Sequence, residues 1–383
     1  MSAKVEGLRI LVVNWNDCSD PHAGGAEIHI HEIFSRLVSA GHQVTLLCNR
    51  PPGASRRDNM DGVSIHRVGT RNTFNYHVPF AYWRHFRGKV DVVVDALNKL
   101  PLLTPLFCRE PVLAIVHHLF GATAFNELTS LAAAYVGFFE RWLPLVYREC
   151  PFEVISDSTR DDLRSRGIED ERIHTVYCGL DPSLYGAAPV PSAARCERPM
   201  LLFLGRVKRY KSVDTILRAL PLVRASCPDA HLVVAGSGDD IPRLEQLARS
   251  LGLGPNEVHF AGQVSEADKV RLYRQAHAAV MPSPKEGWGL TVVEASACAT
   301  PVLAADSPGL RESVVDGETG YLYPFGDHER LAELATEVLT APALREALGT
   351  AGVKWASRFS WDRAAEETGA LLRGLPAAGV GGP

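Results

Sequence analysis

The sequence predicts an α/β protein built from two doubly wound parallel sheets. Three features carry that expectation. Strand-length β-branched runs alternate with helix-period segments, the alternation restarts after a Pro/Ala-rich stretch at residues 186–199, and 383 residues exceed what one ordinary core holds. Two Rossmann-like lobes facing a central cleft are the arrangement these features imply.

In the first lobe, apolar runs at 8–13, 43–47, 63–67, 90–95, 112–116, 152–155 and 173–176 have strand length and are rich in Val, Ile and Leu. Helical periodicity falls at 27–40, 132–148 and 158–166. The run Ala187-Ala-Pro-Val-Pro-Ser-Ala-Ala194 offers no packing face and reads as the linker. The second lobe then places strands at 200–204, 231–235, 257–260, 278–281 and 302–304, with helices at 213–225, 240–250, 266–275 and 290–297. After Tyr321-Leu-Tyr-Pro324 the chain is helical. The expected domains are 1–190 and 198–358, followed by a helix at 359–375 packing back towards the first lobe and a tail at 376–383. No fixed-period repeat is visible, so the lobes share architecture without sharing sequence.

At 46% hydrophobic and 22% charged residues, the composition is that of a soluble globular chain. A net charge of -4 supplies no global field towards nucleic acid or anionic lipid, so no nucleic-acid partner is expected and any anion site must be local. The eight cysteines are scattered, with no Cys-x-x-Cys pair and no metal-ligand spacing, which points to a reducing compartment and no structural zinc. No apolar run follows basic residues at the start of the chain, so no signal peptide is expected. The most apolar long stretch, 131–147, holds Glu140 and Arg141 near its middle. A bilayer centre would penalise a charge there by roughly 2.5–3.5 kcal/mol, so a buried helix is expected. The protein is expected to be cytoplasmic, with the apolar patch at 100–107 as a peripheral contact at the inner face of the membrane.

Four places could carry chemistry. Ala23-Gly24-Gly25-Ala26-Glu27 lies between the first strand and an amphipathic helix, where backbone N–H groups attract phosphate. Two glycines also suffice for a tight turn, and the missing Gly-x-Gly-x-x-Gly spacing argues against a nicotinamide dehydrogenase. Gly205-Arg206-Val-Lys208-Arg209-Tyr-Lys211 begins at the carboxyl end of a strand, where open α/β sheets bind ligands. Arg206 could grip a diphosphate as a fork and Lys211 as a point charge, against the simpler reading of a solvated basic loop. Glu286-Gly287-Trp-Gly289-Leu290 opens a helix that carries Glu294. Carboxylates there would accept from sugar or ribose hydroxyls while the first N–H groups hold phosphates, or both could be ordinary surface acids. His117-His118 ends an apolar strand, where a histidine can donate to a ligand, move a proton or simply be structural.

Taken together, these motifs resemble the family 4 retaining glycosyltransferases of the GT-B fold, over about residues 8–372. Glu286 and Glu294 with seven residues between them, Ala295-Ser-Ala-Cys-Ala-Thr-Pro301, Asp306-Ser-Pro-Gly309-Leu-Arg-Glu312 and Gly317-Glu-Thr-Gly320 are similar to that family's signature in order and spacing. The resemblance implies that Arg206 and Lys211 bind the donor diphosphate. By the same resemblance Glu286 contacts hydroxyls of the transferred sugar, Glu294 the ribose, and Gly287, Gly289 and Leu290 the phosphates. Gly262-Gln-Val264 is similar to the segment touching the base, and Gly25 would join the donor side. His22, Gly24, His117 and the loop at 70–79 would form the acceptor side, with His117 near the reacting sugar. Ser212 stands where glycine is usual, and Ala299 replaces a frequent glycine.

The activity implied is retaining transfer of a sugar from a nucleoside-diphosphate sugar to an acceptor hydroxyl. Its catalytic set would be His117, Arg206, Lys211 and Glu286, with the basic residues stabilising the departing diphosphate and Glu286 not acting as the base. No Asp-x-Asp motif stands at a strand end, so metal-independent transfer without a cofactor is expected, the sugar nucleotide being a co-substrate. A nucleotide-sugar 2-epimerase and a non-catalytic sugar-nucleotide-binding protein are the competing readings. Uridine and guanosine donors, lipid, glycan and small-molecule acceptors, and any oligomeric state are all compatible with these residues.

Overall fold

The computed structural model describes residues 7–21, 23–97, 101–117, 119, 137, 140–185 and 195–376. Its strands form two sheets. The first contains β1 (Arg9–Val13), β2 (Gln43–Cys48), β3 (Arg57–Met60), β4 (Val63–Arg67), β5 (Val92–Leu97), β6 (Val112–Val116), β7 (Phe152–Val154) and β8 (Ile173–Thr175), in the order β3-β4-β2-β1-β5-β6-β7-β8. The second contains β9 (Met200–Leu204), β10 (His231–Ala235), β11 (Val258–Gly262), β12 (Ala278–Met281), β13 (Val302–Ala305) and β14 (Gly320–Tyr323), in the order β11-β10-β9-β12-β13-β14. All pairings are parallel except β3 with β4. Parallel strands covered on both faces need apolar side chains on both, and Ile10, Leu11, Val12 and Val13 are all buried.

Three elements differ from the sequence expectation. Strand β3 is polar and exposed, so it carries no apolar run. It is fixed by an Asp61-Gly62 turn with φ of 49° and 84°, the left-handed pair a two-residue hairpin demands. The expected loop at 70–79 is instead a helix, Phe74–Ala81, continued by a π-helical turn at Tyr82–Phe86. Strand β14 lies within Gly320-Tyr-Leu-Tyr323, too short a run to announce itself. Most of the helix expected at 132–148 lies outside the described residues, which show a short helix at Leu143–Val146.

The described chain forms two compact units, one running to Gly179 and resuming at Trp361, the other Leu180–Ser360. The changeover therefore precedes the 186–199 stretch. Within the first unit the helix Trp361–Gly374 packs on the helix Gly25–Ser39. Gly369 allows the close approach, since a Cβ there would sit 3.0 Å from Leu37 Cδ2, and Arg36 pairs with Asp362 at 2.7 Å. Among the described residues no helix is long and apolar enough to cross a membrane.

Both sheets have a topological switch point. In the first, β1 is flanked by β2 and β5; in the second, β9 is flanked by β10 and β12. Loops leaving the carboxyl ends of such strands diverge to opposite faces and open a crevice, where ligands of α/β sheets bind.

Candidate functional site

In the second unit the backbone itself shapes the switch point. Gly236, after β10, has φ of 135°, and a Cβ there would lie 1.9 Å from the Gly205 carbonyl oxygen; a Cβ on Gly238 would lie 1.9 Å from that of Val207. Only glycine fits this contact of loop on loop. These two glycines were missed from sequence, although Gly-Ser-Gly directly after an apolar strand signals them. The basic run then turns through a 3₁₀ helix, Arg209–Lys211, and brings the Lys211 ammonium into a hydrogen-bonded ion pair with Glu286 Oε1.

Glu286 comes from the other side of the switch point, on the loop after β12. Its N–H donates to the Pro308 carbonyl at 3.0 Å, and Gly309 must lack a Cβ, which would fall 2.3 Å from the Glu286 carbonyl oxygen. The Lys211 and Glu286 side chains are 15% and 21% exposed, so the pair is sheltered yet open to a ligand. Burial pushes the Lys211 ammonium down, but the Glu286 carboxylate outweighs it and holds the lysine above its usual range. Arg206 is exposed, with Nη2 3.4 Å from the Tyr210 hydroxyl, while Lys208 is engaged by Asp239 at 2.7 Å.

Gly289 starts the helix Leu290–Ala297 with φ of 82°, and a Cβ there would meet Ser313 Oγ at 2.8 Å. The first N–H groups of this helix precede its hydrogen-bond ladder and form its positive end. One turn on, Glu294 is buried and accepts from the Tyr185 hydroxyl at 2.9 Å, Lys269 Nζ at 2.9 Å and the Tyr273 hydroxyl at 3.0 Å. A carboxylate offers roughly four acceptor positions, so about one remains for a ligand. Burial pulls Lys269 down, yet Glu294 and Glu266 outweigh it and raise it, while burial and Glu294 together raise both phenols. Val264 lies two residues beyond Gly262, whose carbonyl accepts from the Gly236 N–H at 2.6 Å.

In the first unit, the chain leaving β1 is fixed by a buried polar network that sequence reasoning missed. Gly24 donates its N–H to Glu27 Oε2 at 2.8 Å, Asn16 donates to Glu27 Oε1 at 2.8 Å, and Asn49 donates to Asn16 at 2.8 Å. Asp17 pairs with Arg67 at 2.6 Å, both side chains 1% exposed. Burial pushes the Asp17 carboxyl up, but Arg67 and Ser19 outweigh it and hold it below the usual range. The signal was Asn14-Trp-Asn-Asp17, polar residues abutting an apolar strand. A Cβ at Gly25 would meet no atom within 4 Å among the described residues, so space opens at the helix start.

His117 is buried at 2% exposure, and its Nε2 hydrogen-bonds His29 Nδ1 at 3.1 Å, with the rings edge to face at 4.9 Å. Burial drives His29 down to about 3, which makes it a neutral imidazole. The structure thus engages one ring nitrogen of His117 internally instead of leaving it at the surface. His22 and His118 lie outside the described residues, as does residue 100 of the 100–107 patch, in which Leu106 is 67% exposed. All eight cysteines are free thiols.

The profile described as Glycosyltransferase Family 4 matches residues 23–184, and that described as Glycosyl transferases group 1 matches residues 189–355. The D-inositol 3-phosphate glycosyltransferase of Streptomyces avermitilis is 32% identical over 389 residues, 90% of this chain and 82% of the relative. The chain belongs to family 4 of the glycosyltransferases. The enzyme of the same description from Thermobifida fusca is 36% identical over 210 residues, 51% of this chain; there the match spans about half of the relative, 48%. Sucrose-phosphate synthase from Thermosynechococcus elongatus superposes with a TM-score of 0.79 at 23% identity, covering 96% of this chain and 98% of that one. Anabaena HepE in complex with UDP-glucose superposes at 0.77 with 17% identity, covering 96% and 100%. These neighbours show the GT-B fold.

Against the family pattern, the two departures share one geometry. Ser212 and Ala299, which stand where that pattern has glycine, adopt φ of 53° and 56°. The glycosyltransferase therefore keeps the left-handed backbone while carrying a Cβ that disfavours it.

Proposed function

We propose that this family 4 glycosyltransferase moves a sugar from a nucleoside-diphosphate sugar to an acceptor hydroxyl, with retention at the anomeric carbon and without a metal ion. The supporting observation is the Lys211–Glu286 pair at the switch point of the second sheet. In the transfer, the bond from anomeric carbon to phosphate oxygen breaks and a bond to the acceptor oxygen forms on the same face. The acceptor proton passes to the leaving phosphate oxygen. Negative charge therefore grows on the diphosphate, and Arg206, Lys211 and the N–H groups of Gly289 and Leu290 stabilise it. An ammonium has three donors, so Lys211 can keep Glu286 while reaching the diphosphate.

Glu286 accepts hydroxyls of the transferred sugar, and Glu294 uses its remaining acceptor position for the ribose, held rigid by Tyr185, Tyr273 and Lys269. Gly287 closes on the phosphates and Val264 on the base. In the first unit Gly25 takes the donor side, and Gly24 with His117 the acceptor side. The eight free thiols support a cytoplasmic location.

The test is release of nucleoside diphosphate across a panel of UDP- and GDP-sugars. D-inositol 3-phosphate and glycogen, taken from the names of similar proteins, serve among the acceptors. Turnover that needs an acceptor, gives a product of unchanged anomeric configuration and survives chelator is expected. An epimer formed from one sugar nucleotide without acceptor, an inverted product, or loss of turnover in chelator would each overturn the corresponding part.

A further inference from the structure

The helix Phe74–Ala81 and the π turn Tyr82–Phe86 turn apolar side chains both inward and outward. Inward, Phe74, Val78, Ala81, Tyr82 and Phe86 join the core of the first unit. Outward, Tyr76, Phe80 and Trp83 are 71%, 69% and 66% exposed. Their spacing of four and three residues puts them on one stripe. Core packing explains the first set and leaves the second, which is exposed, without a part in that core.

Charge in the segment that carries the stripe is one-sided. Residues 62–90 contain no Asp or Glu but hold Arg67, Arg71, Arg84, Arg87 and Lys89. Arg67 is consumed by the buried pair with Asp17, and the other four flank the stripe in sequence, with the Arg87 guanidinium 5.7 Å from the Trp83 ring centroid. The nearest following acid, Asp91, is paired with Arg9 at 2.6 Å. The segment is anchored firmly: the Tyr82 hydroxyl donates to Glu110 Oε2, and the Gly88 N–H donates to Glu110 Oε1 at 2.8 Å. A rigid stripe of Tyr, Phe and Trp bordered by arginines and lysine matches the interface of an anionic bilayer, where aromatic rings enter the headgroup layer and cations meet lipid phosphates.

We propose that the face bearing Tyr76, Phe80 and Trp83 docks on an anionic membrane surface. The inference does not rest on the transfer reaction, since its observations belong to the first unit alone. The net charge of -4 makes it discriminating, because a protein repelled overall by anionic lipid must bind through a local patch.

The test is sedimentation of the full chain with vesicles of phosphatidylcholine alone and of phosphatidylcholine mixed with phosphatidylglycerol. Binding to the mixed vesicles only, weakened by salt, is expected. Phe80→Ser with Trp83→Ser, and separately Arg71→Glu with Arg84→Glu, should each lower the partition coefficient roughly tenfold or more. Because these side chains are exposed, the thermal midpoint should be unchanged in both variants. No binding to mixed vesicles, or both variants binding like the parent, overturns the proposal. So does a dimer in light scattering that the aromatic variant abolishes while vesicle binding is absent, which would assign the face to a second copy of the chain.

Discussion

Glu153 sits in β7, fully buried, with Oε2 accepting from Thr368 Oγ1 at 2.8 Å on the helix Trp361–Gly374. Among the described residues its Oε1 has no hydrogen-bond partner. Burial, the dominant cause, pushes the carboxyl up to about 8 from an ordinary 4.5. The folded state therefore holds a proton that the unfolded chain releases. Stability from this group is full below 4.5 and is lost as pH rises through 8. The buried His29, driven from 6.5 down to about 3, acts in the opposite direction, contributing stability above 6.5 and losing it as pH falls. The window from 6.5 to 8 consequently isolates Glu153 best. Over those 1.5 units, at 1.36 kcal/mol each, the loss has a ceiling of about 2 kcal/mol. Glu153→Gln keeps the shape and the acceptor for Thr368 without the titration. Two units need not unfold in one transition, so protection of the β6, β7 and β8 amides against hydrogen exchange is the assay. Protection in the parent should fall relative to the variant across the window, the histidine contributions being common to both. Parallel profiles would refute the assignment of a raised, proton-holding carboxyl.

Three further outcomes follow from the second unit. Lys211→Met should lower kcat/KM for the donor by roughly a hundredfold or more, since it removes a cation from the growing diphosphate charge, and steady-state kinetics checks it. Gly289→Ala should destabilise the second unit by about 2 kcal/mol, from positive φ and the clash with Ser313 Oγ, read as a lower thermal midpoint together with weaker donor binding. Ser212→Gly and Ala299→Gly should each stabilise by about 0.5–1 kcal/mol in chemical denaturation, relief of the left-handed Cβ exceeding glycine's added unfolded-state entropy. No gain at either site would show that neighbouring contacts already hold the backbone there.

Hydrophobic pattern located the strands that are buried on both faces, because such strands must be apolar throughout; β9, β10 and β12 begin and end where their runs do. It failed where burial was not the cause. β3 is held by turn chemistry at Asp61-Gly62, and the 74–86 segment is apolar on both sides, so it has no helical contrast to detect. For the site, charge and glycine type exposed the Arg206, Lys211 and Glu286 positions, since solvated basic and acidic residues at strand ends stand out. Burial hid the remainder: the partners of Glu294 come from two separate helices, Lys269 and Tyr273 from one and Tyr185 from the other, and Tyr185 is 109 residues away from it in sequence. His117 was conspicuous as one of a sequence pair, yet its partner in space is His29, 88 residues earlier.

The two switch points have the same topology and opposite chemistry. After β1, Asp17 and Arg67 are buried and paired with each other and Glu27 is buried and accepts from Asn16 and the Gly24 N–H, so the polar groups there are spent on fixing the chain, and what stays open is the space beside Gly25. After β9 and β12, Arg206 is exposed and the Lys211–Glu286 pair remains half-buried, beside a helix start whose N–H groups face no preceding turn. A diphosphate needs cations that are free to exchange partners in a sheltered site. A buried pair at 1% exposure cannot exchange without leaving a charge stranded, whereas a pair at 15% and 21% can. On the proposed function, anion binding falls to the second sheet because its charged pair is the less deeply buried of the two.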